Sequence, residues 1–185
     1  MARPRAVLSN PPVLLRRLTR ADAPEVLRVV AESVEHLRPW MAWAAVDPTA
    51  GQVVANIDQC VADWDNGVDY SYAIVVDGTI VGRCGMMPRV GPGGLEMGYW
   101  LHPAHVGRGL ATLATAAMVD AAFALPDIDR LEIVHDTANT RSGAVPRRLG
   151  FREVARDSPP QEPITAAEHG VDVRWRLTRA EHLSR

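Results

Sequence analysis

The segment Leu101-His-Pro-Ala-His-Val-Gly-Arg-Gly-Leu-Ala-Thr112 places two glycines, Gly107 and Gly109, between an apolar run and a long alanine-rich stretch. Glycine at such a junction lets the backbone turn tightly, and the first amides of the following helix are left without intrahelical partners. Unpaired N–H groups at the positive end of a helix dipole bind an anion without a charged side chain. The same glycines would also serve a purely structural turn, so this segment alone leaves both readings open. A dinucleotide site fits poorly: Thr112 stands where the third glycine of GxGxxG belongs, and the segment follows a hairpin instead of opening a βαβ unit. His102, His105, His135 and His169 are scattered without metal-ligand spacing, and no metal is expected.

All 20 basic residues are arginine, because the sequence contains no lysine. That excludes a GxxxxGK[ST] phosphate loop and any lysine nucleophile. The formal charge of −2 gives no long-range field for a polyanion, so neither nucleic acid nor a membrane surface is an expected partner. Cys60 and Cys84 are too few for a disulfide framework and fit a reducing compartment. The opening Met-Ala-Arg-Pro-Arg has no apolar run behind it, and the stretch from Leu110 to Leu125 is interrupted by Thr112, Thr115 and Asp120. A soluble, cytoplasmic, single-domain protein is expected from 185 residues of which 47% are hydrophobic and 23% charged.

Several elements must position the glycine loop. Val13–Leu18 reads as a strand, and Thr19 or Asp22 can cap a helix carrying Val26, Leu27, Val30, Val34 and Leu37 on one face. Arg38-Pro-Trp-Met-Ala-Trp43 breaks it, and a second helix runs from about Ala50 to Trp64. Tyr70–Val76 and Thr79–Met86 flank Asp77-Gly78, a dipeptide suited to a two-residue hairpin. Leu95–Leu101 reads as a central strand and Leu110–Leu125 as a long helix. Arg130–Val134 is a strand, Asn139 or Thr140 opens a helix ending at Gly150, and Phe151–Ala155 and Val171–Leu177 complete the strands. The order β-α-α-β-β-β-α-β-α-β-β implies an α/β (α+β) chain, with about four helices packed on a mixed sheet of about seven strands. Residues 13–178 are expected to form the domain, between an extension over 1–12 and a tail over 179–185.

With these elements in place, the chain resembles the GCN5-related N-acetyltransferase (GNAT) family, most closely its RimJ/RimL-like branch. The resemblance rests on Leu37-Arg-Pro-Trp-Met-Ala-Trp43, Glu96-Met-Gly-Tyr-Trp-Leu101, Gly107-Arg-Gly-Leu-Ala111, and Asn139-Thr-Arg-Ser142 with Leu149-Gly-Phe151. Their order and spacing match over about Val13 to Leu177. The resemblance implies the GNAT acyl-CoA N-acyltransferase fold and direct acetyl transfer from acetyl-CoA to an amine, with no metal.

It also implies roles for particular residues. The amides of Val106, Gly107, Arg108, Gly109, Leu110, Ala111 and Thr112 would hold the coenzyme A pyrophosphate. Val106 departs from the family's Gln or Arg at the start of this loop. The strand end at Trp100, Leu101 and His102 would pair with the pantetheine arm. Asn139 would bind the pantetheine amide, and Ser142 the sulfur, as binder or proton donor. Glu96 would be the general base. Many members carry a tyrosine acid seven residues after the asparagine, where this chain has Pro146. Trp40 and Trp43 would wall the acceptor groove, and one or two of Arg141, Arg147, Arg148, Arg152 and Arg156 would reach the 3′-phosphate.

The acceptor expected from the resemblance is a protein or peptide N-terminus. A small-molecule amine or antibiotic acetyltransferase and a non-catalytic coenzyme-A-binding sensor are the alternatives, and a homodimer is possible. Asp63, Asp65 and Asp69 near the second helix would suit a polycationic acceptor if they formed one groove. Without lysine, the only primary amine in this sequence is its own N-terminus.

Overall fold

A computed structural model describes residues 2–184. The strands are β1 (Val7–Asn10), β2 (Val13–Arg17), β3 (Tyr70–Val76), β4 (Thr79–Met87), β5 (Gly94–Leu101), β6 (Arg130–Asp136), β7 (Arg152–Arg156) and β8 (Asp172–Thr178). The α-helices are α1 (Ala23–Leu37), α2 (Ala50–Asn66), α3 (Leu110–Phe123), α4 (Thr140–Arg148) and α5 (Arg179–Leu183). One sheet takes the order β1-β2-β3-β4-β5-β6-β8-β7. Every neighbouring pair is antiparallel except β5 and β6, which α3 connects as parallel strands.

Local chemistry accounts for most boundaries. The β3–β4 turn holds Asp77 at φ 50° and Gly78 at φ 77°, as an Asp-Gly hairpin requires. Thr49 and Gln52 form a capping box at the start of α2, which ends on Gly67 at φ 71°. Two elements exceed the expected set. β1 pairs with β2 across Pro11-Pro12, in register Asn10↔Val13, and α5 is opened by a capping box between Thr178 and Glu181.

Alternation along the central strands divides the core between the two faces of the sheet. Tyr72, Ile74, Met86, Leu95 and Met97 pack with Leu110 and Met118 of α3. On the other face Ala73, Val75 and Ile80 pack with Val26 and Val29 of α1 and Ile57 of α2. Each fully buried aliphatic side chain contributes about 1.5–3 kcal/mol, so both helical layers are anchored firmly to the sheet. Among the described residues no helix is long and apolar enough to cross a membrane.

Candidate active site

The parallel pair at the centre of the sheet is short. β5 and β6 are in register only at Gly94↔Arg130, Leu95↔Leu131 and Glu96↔Glu132, although β5 runs on to Leu101 and β6 to Asp136. Beyond Glu96 the facing main chain of β5 has no strand partner, which leaves a slot for an extended, amide-bearing ligand. The Gly107–Gly109 loop lies past the end of β5, at the N-terminus of α3. Gly107 and Gly109 adopt φ 75° and 76°, and a Cβ on either would meet nothing within 4 Å. The first helix-closing bond is Leu113 N–H to Gly109 O at 3.1 Å. Among the described residues the Leu110, Ala111 and Thr112 amides, the first three of α3, have no helical acceptor. Val106 turns its side chain onto the apolar core, so this loop offers amides without the glutamine or arginine that the family usually places there. Arg108 is exposed and contacts His105 Nδ1 at 3.2 Å.

Helix α4 approaches the same slot from the α3 side. Asn139 caps it, Oδ1 accepting the Ser142 amide at 3.1 Å. The turn before it is tied down by the buried Asp136 carboxylate, which accepts from the amides of Ala138 at 2.8 Å and of His169 and Val171 at 3.0 Å each. Burial pushes the Asp136 carboxyl up, but these backbone N–H groups outweigh it and hold the group below its usual range. His135 lies under the first turn of α4, its Nε2 accepting from Trp175 Nε1 at 3.0 Å. A Cβ on Gly143 would come within 2.5 Å of that Nε2, so glycine is needed for α4 to sit this close.

Ser142 is half-buried, and its nearest side chain is one that sequence reasoning missed. The Tyr99 hydroxyl donates to the Ser142 carbonyl at 2.9 Å and lies 3.3 Å from Ser142 Oγ. The cause is Pro146. Proline has no N–H, so the carbonyl four residues back, that of Ser142, loses its helical donor and Tyr99 replaces it. A proline inside a predicted helix is the signal that could have found this partner. Burial pushes the Tyr99 phenol up to about 12.

Glu96 projects from the opposite face, toward α1 and α2, because Leu95 and Met97 on either side of it point into the α3 core. Its carboxylate faces Arg89 at 3.6 Å. Adjacent on this face is a cleft of about 630 Å³ lined by Met41, Trp43, Asp69, Arg83, Gly98 and Trp100, among others. Trp43 is half exposed and its ring lies 5.9 Å from that of Trp100. Trp40 is half-buried just beyond α1 and does not line this cleft. Trp100 therefore gives its side chain to the cleft and its main chain to β5. Leu101 is buried in the α3 core, and His102 Nε2 contacts Glu32 of α1 at 3.2 Å. Asp63 and Asp65 do not line the cleft; Asp65 pairs with Arg17 at 2.8 Å. Of the arginines, Arg147 lies over Trp175 at 5.5 Å and Arg152 and Arg156 pair with Glu181 and Glu153, while Arg141 and Arg148 are exposed. Among the described residues no three His, Cys, Asp or Glu side chains converge as a metal site.

A family model for the acetyltransferase (GNAT) domain matches residues 13–152. The chain belongs to the GNAT acetyltransferases. As a member of that family it is 26% identical over 152 residues to YdaF of Bacillus subtilis (strain 168), covering 78% of this chain and 80% of the relative. The name of that relative assigns it provisionally to the ribosomal N-acetyltransferases. RimJ of Mycobacterium smegmatis, solved with a coenzyme A disulfide, superposes with TM-score 0.83 at 26% identity, covering 97% of this chain and 88% of its own. RimL, a ribosomal L7/L12 α-N-protein acetyltransferase solved with coenzyme A, shares the fold with TM-score 0.85 at 16% identity, over 93% of this chain and 97% of its own.

Proposed function

We propose that this GNAT enzyme transfers the acetyl group of acetyl-CoA directly to an α-amine at the N-terminus of a protein or peptide. The observation that carries this reading is the placement of Glu96 and Ser142 on opposite faces of the sheet, beside the parting of β5 and β6. Bound acetyl-CoA supplies the thioester carbonyl that the amine attacks. The amides of Gly107 to Thr112 hold its pyrophosphate, and the unpaired edge of β5 from Met97 to Leu101 orients its amide-bearing arm. Asn139 keeps a side-chain NH2 for the same arm, since its Oδ1 is already used within α4.

Two proton movements complete the transfer. Glu96 accepts the proton that the amine loses as the new carbon–nitrogen bond forms, directly or through one water. Ser142 Oγ hydrogen-bonds the sulfur and passes it a proton as the carbon–sulfur bond breaks. It takes one back from water as coenzyme A leaves, while Glu96 returns its proton to solvent. The cleft walled by Trp43 and Trp100 opens on the Glu96 face and admits an extended chain end. The similarity to YdaF, whose name places it with the ribosomal N-acetyltransferases, supports a protein acceptor over a small amine. The cytoplasm is the compartment we assign, where Cys60 and Cys84 remain free thiols. Calorimetric titration with coenzyme A tests the donor half: micromolar binding is expected, and no heat at millimolar ligand would contradict it.

A further inference from the structure

The face that carries Glu96 holds a second carboxylate with no part in the acetyl-transfer step. Asp69 immediately precedes β3, one position beyond the Tyr70↔Met86 pair, so it falls in line with Met87 and, across from Met87, with Glu96. Two strand spacings separate Asp69 from Glu96, about 10 Å. The neighbouring row of the sheet is Ser71, Gly85 and Gly98, all lining the cleft. Two directly opposed glycines give that part of the floor no side chains of its own, and the Met87 side chain lies against Gly98. A Cβ on Gly85 would meet Tyr70 O at 3.3 Å, and one on Gly98 would meet Met87 Cε at 3.4 Å.

Asp69 lacks a charged partner. Ser71 Oγ donates to it at 3.2 Å, and among the described residues no cation makes an ion pair with it. Arg83 is held by α2, donating to Asn56 Oδ1 at 2.7 Å and Cys60 Sγ at 3.0 Å. Arg89 faces Glu96 instead. Burial pushes the Asp69 carboxyl above its usual range, against the Ser71 bond and the more distant Arg89 and Arg83. A half-buried carboxylate in a cleft whose walls include Val26, Val30 and Trp43, with lone pairs to spare, gains most from a cation brought by the ligand.

We infer that Asp69 is a specificity residue of the acceptor cleft, accepting hydrogen bonds from a cationic side chain on the acceptor residue next to the reacting α-amine. The inference rests on the α-amine reading above. With the amine at Glu96, a basic side chain on the second residue reaches past Met87, which stands between the two carboxylates, to Asp69. Asp69 touches the acceptor away from the reacting atoms.

Three short peptides decide the matter, identical except for arginine, citrulline or glutamate as second residue. Citrulline keeps the planar shape and three of the five N–H donors of arginine, replaces one NH2 by a carbonyl oxygen and removes the charge. The kcat/KM for thiol release and the binding constant read from intrinsic tryptophan fluorescence are measured for each, with coenzyme A titration confirming that every variant is folded. The wild type should favour arginine over citrulline by about tenfold. Asp69→Asn should bring that ratio close to one, and Asp69→Glu should retain most of it. The same ratio in wild type and Asp69→Asn, or a preference for the glutamate peptide, would overturn the inference. Should coenzyme A bind and no peptide be acetylated, the α-amine reading fails, while the fluorescence ratio still decides on Asp69.

Discussion

The Tyr99 hydroxyl spans the first turn of α4, donating to the Ser142 carbonyl at 2.9 Å with Ser142 Oγ 3.3 Å away. A single phenol thus repairs the hydrogen bond that Pro146 removes and fixes the serine assigned to the thiolate. Its raised pKa keeps it protonated, and therefore a donor, across the neutral range. Tyr99→Phe should lower stability by about 1–2 kcal/mol, because a part-buried carbonyl loses its donor. Pro146→Ala in the same chain should restore it, since an alanine amide can close the helical bond. Urea unfolding of the single and double variants measures both changes.

Glu96 and Ser142, the residues proposed to accept and give a proton, should separate kinetically. Glu96→Gln should lower kcat about 100-fold and change the shape of the pH–rate profile, with coenzyme A affinity little affected. Ser142→Ala should lower kcat and leave the KM for acetyl-CoA near its wild-type value. Steady-state kinetics across pH, paired with calorimetry, check both.

Gly109 can be contrasted with Gly51. Neither has an atom within 4 Å of an added Cβ, yet Gly109 sits at φ 76° and Gly51 lies within α2. Gly109→Ala should cost about 1–2 kcal/mol of backbone strain and weaken coenzyme A binding about tenfold, by filling the space before the α3 amides. Gly51→Ala should raise stability by up to about 1 kcal/mol and leave coenzyme A affinity unchanged. Thermal unfolding and calorimetry report the two effects separately.

Acid should destabilise the fold through the strand that pairs with β5. Glu132 of β6 is buried and meets Arg174 at 2.7 Å and Arg176 at 2.6 Å. Burial pushes its carboxyl up, but the two guanidiniums outweigh that and hold it below its ordinary value of 4.5. A depressed folded-state pKa contributes stability that is present above the unfolded value and lost as pH falls through the folded one. Urea midpoints should therefore drop below about pH 4.5, and Glu132→Gln should flatten that slope while lowering stability at neutral pH.

Much of the architecture could be read from residue patterns because the signals are local. Asp77-Gly78 fixes the β3–β4 hairpin, and Asn139 is the N-cap that its position suggests. What escaped depends on chain segments that meet only in the fold. The parting of β5 and β6 has no sequence signature, since apolar residues continue on both strands beyond Glu96 and Glu132. Tyr99 reaches Ser142 across 43 positions of chain. β1 was hidden by Pro11-Pro12, which suggests a stop yet serves as a hairpin turn. α5 does carry a local signal, since Thr178 with Glu181 three residues later is a capping-box pattern.

The central claim is acetyl transfer to an N-terminal α-amine, and mass-spectrometric profiling of a peptide library with the purified protein and acetyl-CoA tests it most directly. The chain contains no lysine of its own, so any acetyl-lysine must come from the library. The expected result is acetylation on peptide α-amines, abolished with coenzyme A in place of acetyl-CoA and strongly reduced in Glu96→Gln. Acetylation confined to lysine side chains, or acetyl-CoA binding with no acetylated peptide, would contradict it.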